Sequence, residues 1–143
     1  MAKQPNFPAL LKTYQTQRDA KRQELATLVA ETERLEQQLN VLLAEQNAMD
    51  AAQQMKTDSE MGIDAQYWTA NESRQMHLNR EIKQCQRRIL ISDEKVRHCR
   101  EETTKLHQQV LAIEQAMQRK QEGFVWEARR RDANEQDDRN LRQ

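Results

Sequence analysis

Between Leu78 and Met117 the sequence places apolar or small residues in steps of four and three without a slip. They are Leu78, Ile82, Cys85, Ile89, Ser92, Val96, Cys99, Thr103, Leu106, Val110, Ile113 and Met117. No proline or glycine interrupts this stretch, and almost everything between these positions is charged or an amide. Such alternation is the a/d seam of a coiled-coil helix, with Ile82 at a and Cys85 at d. A stripe only two positions wide per heptad stays wet on an isolated helix, so the chain must supply a second helix to cover it.

A second seam precedes it: Leu11, Tyr14, Arg18, Lys21, Leu25, Leu28, Thr32, Leu35, Leu39, Leu42, Gln46 and Met49, widened by Leu10, Val29 and Leu43. Pro8 suits the first turn of a helix, where a missing N–H costs nothing. The pattern predicts helix 1 over about 8–57, some 75 Å at 1.5 Å per residue, and helix 2 over about 64–138. Between them lies a turn at 58–63, where Gly62 can take the left-handed conformation and Asp64 can cap the next helix. Helices joined by so short a link lie antiparallel. The expectation is an all-α fold, a single rod-like antiparallel two-helix coiled coil across residues 1–143.

Folding the chain at Gly62 pairs Leu11 with Ile113, Tyr14 with Val110, Leu25 with Cys99 and Leu28 with Val96. Toward the turn it pairs Leu35 with Ile89, Leu39 with Cys85 and Leu42 with Ile82. Polar seam residues then meet one another, Thr32 with Ser92 and Lys21 with Thr103. A neighbouring register sets Leu25 on Ser92 and Thr32 on Cys85, and is the poorer match. Leu35, Leu39, Ile82 and Ile89 are expected to be the firmest part of the seam. Helix 2 overshoots, so residues beyond Met117 form an overhanging C-terminal helix carrying Phe124, Val125, Trp126 and Arg129–Arg131. Gly123 is a weak point, costing about 1 kcal/mol relative to alanine. Past Asp132 the sequence is almost wholly polar and is expected to fray.

Composition limits the function. With 36% hydrophobic and 4% aromatic residues against 32% charged, there is too little large apolar material for a thick core. Twenty-three acidic residues balance 23 basic ones, which argues against nucleic acid or an anionic membrane as the main partner. No apolar run approaches the roughly 20 residues of a membrane-spanning helix, and the first residues lack the apolar stretch of a secretory signal. A cytoplasmic protein, a monomer when isolated and without membrane insertion, is expected. Cys85 and Cys99 stand two heptads apart on one helix, about 21 Å, and cannot bridge within the chain.

Little in the sequence points to chemistry. His77, His98 and His107 are the only imidazoles, and no Cys-x-x-Cys, His-x-x-x-His or Glu-x-x-His pair exists, so no metal is expected. Two glycines in the whole chain leave no phosphate loop. Glu101-Glu102 and Asp137-Asp138 are solvated charges without a pocket to shift their pKa. Neither enzyme activity nor a cofactor is expected. The run Arg129-Arg130-Arg131 reads equally as a solvated helix end or as a docking patch for an acidic protein surface. Tyr67 and Trp68 open helix 2, while Leu90, Leu111 and Val125 share an outer heptad position. These are either isolated surface residues or partner contacts.

Gly62-Ile63, then Trp68, Leu78 and Ile82, just after a first coiled-coil helix, resemble the flagellar export protein family FliJ. The stretch Arg119-Lys120-Gln121-Glu122-Gly123-Phe124-Val125-Trp126 is similar to the SpaM/InvI (YscO-like) injectisome counterparts. Arg74 stands where the flagellar proteins often carry an aromatic or apolar residue. The resemblance implies the central stalk of the type III export ATPase, linking a hexameric ATPase to a membrane-embedded export gate, with secretion chaperones as further partners. Carried onto this sequence, Leu10, Leu11, Tyr14, Phe124, Trp126, Arg129, Arg130 and Arg131 would meet the ATPase ring. Tyr67, Trp68, Arg74 and Leu78 would face the gate. The competing expectation is a general coiled-coil scaffold or secretion chaperone that binds client proteins.

Overall fold

In the computed structural model of the protein, residues 6–58 and 65–142 are described, and two helices take up nearly all of them. Helix α1 spans Phe7–Asp58 and α2 spans Ala65–Leu141, with no strand among the described residues. The fold is an all-α helical hairpin. Asn6 starts α1: its side-chain oxygen accepts from the Ala9 N–H at 3.4 Å, and its carbonyl accepts from the Leu10 N–H at 3.1 Å. That is an N-cap, and it places Pro8 in the first turn, where no donor is needed. The expected turn residues Gly62 and Ile63 and the Asp64 cap lie outside the described residues.

Each helix contributes to two compact units. The middle unit is Gln23–Arg100, and the terminal unit joins the chain up to Arg22 with the stretch from Glu101 onward. In the middle unit Leu42, Leu78, Ile82 and Cys85 form a buried cluster, with Leu39, Met49 and Ile89 packed against it. This cluster sits nearer the expected turn than the sequence suggested, because Leu78 and Met49 extend it while Leu39 and Ile89 stay half-buried. Leu35, Val96 and Cys99 are also buried, and Leu25 and Leu28 half-buried.

Register is read from one pair. The hydroxyls of Thr32 and Ser92, both buried, lie 2.5 Å apart. This is the pairing expected from folding at Gly62, and it excludes the register that sets Thr32 on Cys85. Thr32 also donates to the Leu28 carbonyl at 2.9 Å, which uses its only proton, so Ser92 is the donor across the helices. The Cys85 thiol donates to the Leu35 carbonyl at 3.3 Å. Nearer the expected turn the contacts become polar: Gln46 donates to Asn79 at 2.6 Å, and Gln75 donates to Gln53 at 2.7 Å and to Asp50 at 3.4 Å. The numbering runs in opposite directions along these pairs, so the two helices of the unit are antiparallel.

In the terminal unit Val110 is the most deeply buried side chain, while Leu11, Tyr14, Leu106 and Ile113 are half-buried. Lys21 pairs with Glu102 at 2.6 Å, one residue from the expected Thr103. A lysine at a seam position reaches outward to the flanking carboxylate because its ammonium must stay hydrated or paired. The expected fraying past Asp132 does not occur: α2 runs on to Leu141 and passes through Gly123. Beyond Gly123 the chain holds no proline or further glycine, and Ala128, Ala133, Glu135 and its arginines are good helix formers.

Candidate docking surfaces

Residues 118–141 of α2, and Arg142 after it, are exposed throughout. Phe124 is 62% exposed and Trp126 63%, with Val125 open between them. Large aromatic rings left in water on a stretch without a covering element are the signature of an unfilled interface. They do not stand alone. Asn6, Phe7 and Pro8 at the start of α1 line one open groove with Met117, Lys120, Gln121 and Phe124. The Lys120 ammonium sits 5.8 Å from the centre of the Phe7 ring, a cation–π distance. On the same helix Val125, Trp126 and Arg129 line a second groove with Gln118, Gln121 and Glu122. The Arg130 guanidinium lies 5.6 Å from the centre of the Trp126 ring, again a cation–π distance. Arg129, Arg130, Arg131 and Leu10 are exposed, whereas Leu11 and Tyr14 are half-buried in the seam.

A second surface lies in the middle unit. Arg74, His77, Leu78 and Glu81 of α2 line a groove with Glu45, Ala48 and Met49 of α1. Leu78 is only 5% exposed and belongs to the core cluster, so it forms the floor of this groove rather than a projecting contact. Arg74 is exposed at the rim, and His77 Nε2 stands 3.0 Å from Glu81. Tyr67 and Trp68 are half-buried and not part of this groove. Lys56 caps the Tyr67 ring, its ammonium 3.5 Å from the ring centre, which ties the last turns of α1 to the first of α2.

Sequence reasoning missed Phe7, Lys56 and Lys120. The signal was present in Phe7, an aromatic residue just ahead of the first seam, but its partner across the hairpin needed the fold. No group of three or more His, Cys, Asp or Glu among the described residues could hold a metal ion. No described helix is long and apolar enough to cross a membrane. What the surfaces offer is shape, aromatic area and charge.

A sequence model described as flagellar FliJ protein matches residues 3–143. The chain belongs to the FliJ family. Neither the curated proteins nor the solved structures yield a match. Membership makes this FliJ protein a flagellar or type III export component.

Proposed function

We propose that this FliJ family protein is a non-enzymatic, cytoplasmic central stalk of a type III export apparatus, acting as a single domain over residues 1–143. Its terminal unit enters the ring of the hexameric export ATPase, and the groove of Arg74 and Leu78, with Tyr67 and Trp68, meets the export-gate membrane protein. The observation that carries the reading is the exposure of Phe124 and Trp126 beside a groove that both chain ends build. Aromatic anchors of this kind concentrate binding energy at interfaces. Arg129, Arg130 and Arg131 add salt-sensitive attraction to carboxylates or carbonyls lining a pore. Seam residues are used up within the chain, which supports a monomer in isolation. The similarity of Arg119–Trp126 to the SpaM/InvI proteins supports an injectisome setting as the second reading.

The test pairs the purified full chain with the cognate export ATPase. Phe124→Ser combined with Trp126→Ser should abolish co-sedimentation with the hexamer while leaving the melting curve unchanged, since both rings are exposed. Undiminished binding by the double variant would mean that the terminal unit does not carry the contact.

A further inference from the structure

Toward the expected turn the seam keeps its spacing and loses its apolar content. On α1 it continues as Gln46, Met49, Gln53 and Lys56, and on α2 it begins as Trp68, Asn71 and Gln75. Beyond Leu42 on α1 and ahead of Leu78 on α2, no described residue of the middle unit is buried. Amides hold these layers instead. Gln75 donates to Gln53 at 2.7 Å and to Asp50 at 3.4 Å, and Gln46 donates to Asn79 at 2.6 Å. Such pairs resist separation weakly, because each partner regains its bond from water. One amide in these layers is not satisfied at all. The Asn71 side-chain nitrogen is buried and has no partner among the described residues. In the register set by Thr32 and Ser92 it falls in the layer of Gln53, whose oxygen is turned to Gln75. The closed form therefore leaves unmade a bond that water would supply. The outer end is not loose, however. The Lys56 ammonium over the Tyr67 ring clasps α1 to α2, so the weak layers lie between this clasp and the cluster of Leu42, Leu78, Ile82 and Cys85.

We infer that residues 46–58 and 65–77 form a fork that opens as a unit and uncovers Leu78. Closed, the fork leaves Leu78 only 5% exposed, with Met49 packed against its cluster. Parting the arms takes α1 away from it and frees the half-buried Trp68 at the same time. Opening stops at Leu42 and Ile82, where buried apolar side chains would have to be wetted. Once apart, each arm is about a dozen residues long, too short to stay helical in water, so opening marks the backbone amides of both. The fork deepens the gate reading and rests on it for its use. A leucine that forms the floor of a groove reaches a partner poorly while α1 covers it, and the opened form presents it. Binding to that form is weakened by the fraction of chains that are open, so the clasp and the unpaired amide set the affinity between them.

The experiment measures amide hydrogen exchange along the full chain by mass spectrometry, without any partner. Both arms should exchange at least about tenfold faster than residues 82–99, and at one common rate. Asn71→Leu removes the unpaired amide from α2 alone, yet should slow the arm on α1 as well. Gln53→Leu with Asn71→Leu makes the layer apolar and should slow both arms by about tenfold, leaving residues 82–99 unchanged. Lys56→Ala releases the clasp and should speed both arms about two- to fivefold. The same three forms are then titrated into the purified cytoplasmic domain of the cognate export-gate protein. Affinity should follow the open fraction, about tenfold weaker for the leucine pair and about two- to fivefold tighter for Lys56→Ala. Exchange that rises smoothly toward the helix ends, or an Asn71→Leu effect confined to α2, would mean ordinary fraying and overturn the fork. Equal gate affinity in all three forms would overturn its use in presenting Leu78. A parent chain that does not bind the gate domain would sink the gate reading instead, while the exchange data still decide the fork.

Discussion

Removing the Thr32–Ser92 pair tests the register of the whole middle unit. Both hydroxyls are buried at 2.5 Å, and the Thr32 proton is already given to the Leu28 carbonyl at 2.9 Å. Ser92→Ala therefore strips Thr32 of the one donor it receives, in a place water does not reach. That should cost about 1 kcal/mol, as for a buried acceptor left unmade. Thr32→Val should cost a similar amount, because the Ser92 proton must turn back to the carbonyl one turn earlier on its own helix. The double variant replaces both partners with apolar groups of like shape, and should fall within about 0.5 kcal/mol of the parent chain. A coupling of about 1–2 kcal/mol across the cycle follows. Urea unfolding followed by circular dichroism reads it as a shift in midpoint with an unchanged slope. The hydroxyls also explain the choice of register, since the neighbouring one would bury each against an apolar side chain at about 1–3 kcal/mol apiece. Single changes whose costs simply add in the double variant would refute the pairing, and the register with it.

Three further outcomes follow from the packing and the charges. Ile82→Ala, inside the buried cluster, should cost about 2–4 kcal/mol, whereas Glu31→Ala on the exposed side should stay within about 0.5 kcal/mol; equal shifts in the urea midpoint would contradict the core assignment. Cys85 and Cys99 are buried thiols in no disulfide, so a thiol reagent should label them only as fast as the native helices open, and labelling as fast as in urea would place them outside the seam. Glu94 should titrate below the ordinary glutamate range, chiefly through the Arg97 hydrogen bond and then its charge. A carboxyl lowered in the folded state stabilises above its unfolded pKa and loses that contribution as pH falls through the folded value. Arg97→Gln should therefore return the carbon-detected Glu94 titration to the ordinary range, and an unmoved midpoint would rule out the pair.

Most of the fold was legible because a heptad is a direct geometric signal. Leu35, Ile82 and Val110 are buried for the reason their spacing gives, and Thr32 finds Ser92 because antiparallel seams pair a with d. What escaped was set by atoms rather than by period. Lys21 turns to Glu102 because a seam lysine leans outward, a rotamer-level event that helical spacing does not encode. The helix past Asp132 persists on intrinsic propensity, where the absence of apolar residues suggested fraying. Leu78 read both as seam and as gate contact, and burial decides for the floor of a groove. The candidate surface was half visible: Phe124 and Trp126 stand out in any reading of the sequence. Phe7, brought to the same groove from the other end of the chain, needed the hairpin to place it.

The central claim is that the terminal unit works on the export ATPase, and removal of residues 123–143 tests it most directly. This segment carries Phe124, Trp126 and Arg129–Arg131 and no buried seam residue. The shortened chain should keep the helical signal and the melting midpoint of the remaining hairpin, because Phe7, Lys120 and the seams are all retained. ATP hydrolysis by the hexamer, measured with and without each form, should rise with the full chain and stay at its basal rate with the shortened one. A shortened protein that stimulates the hexamer as strongly as the full chain would contradict the assignment of this end to the ring.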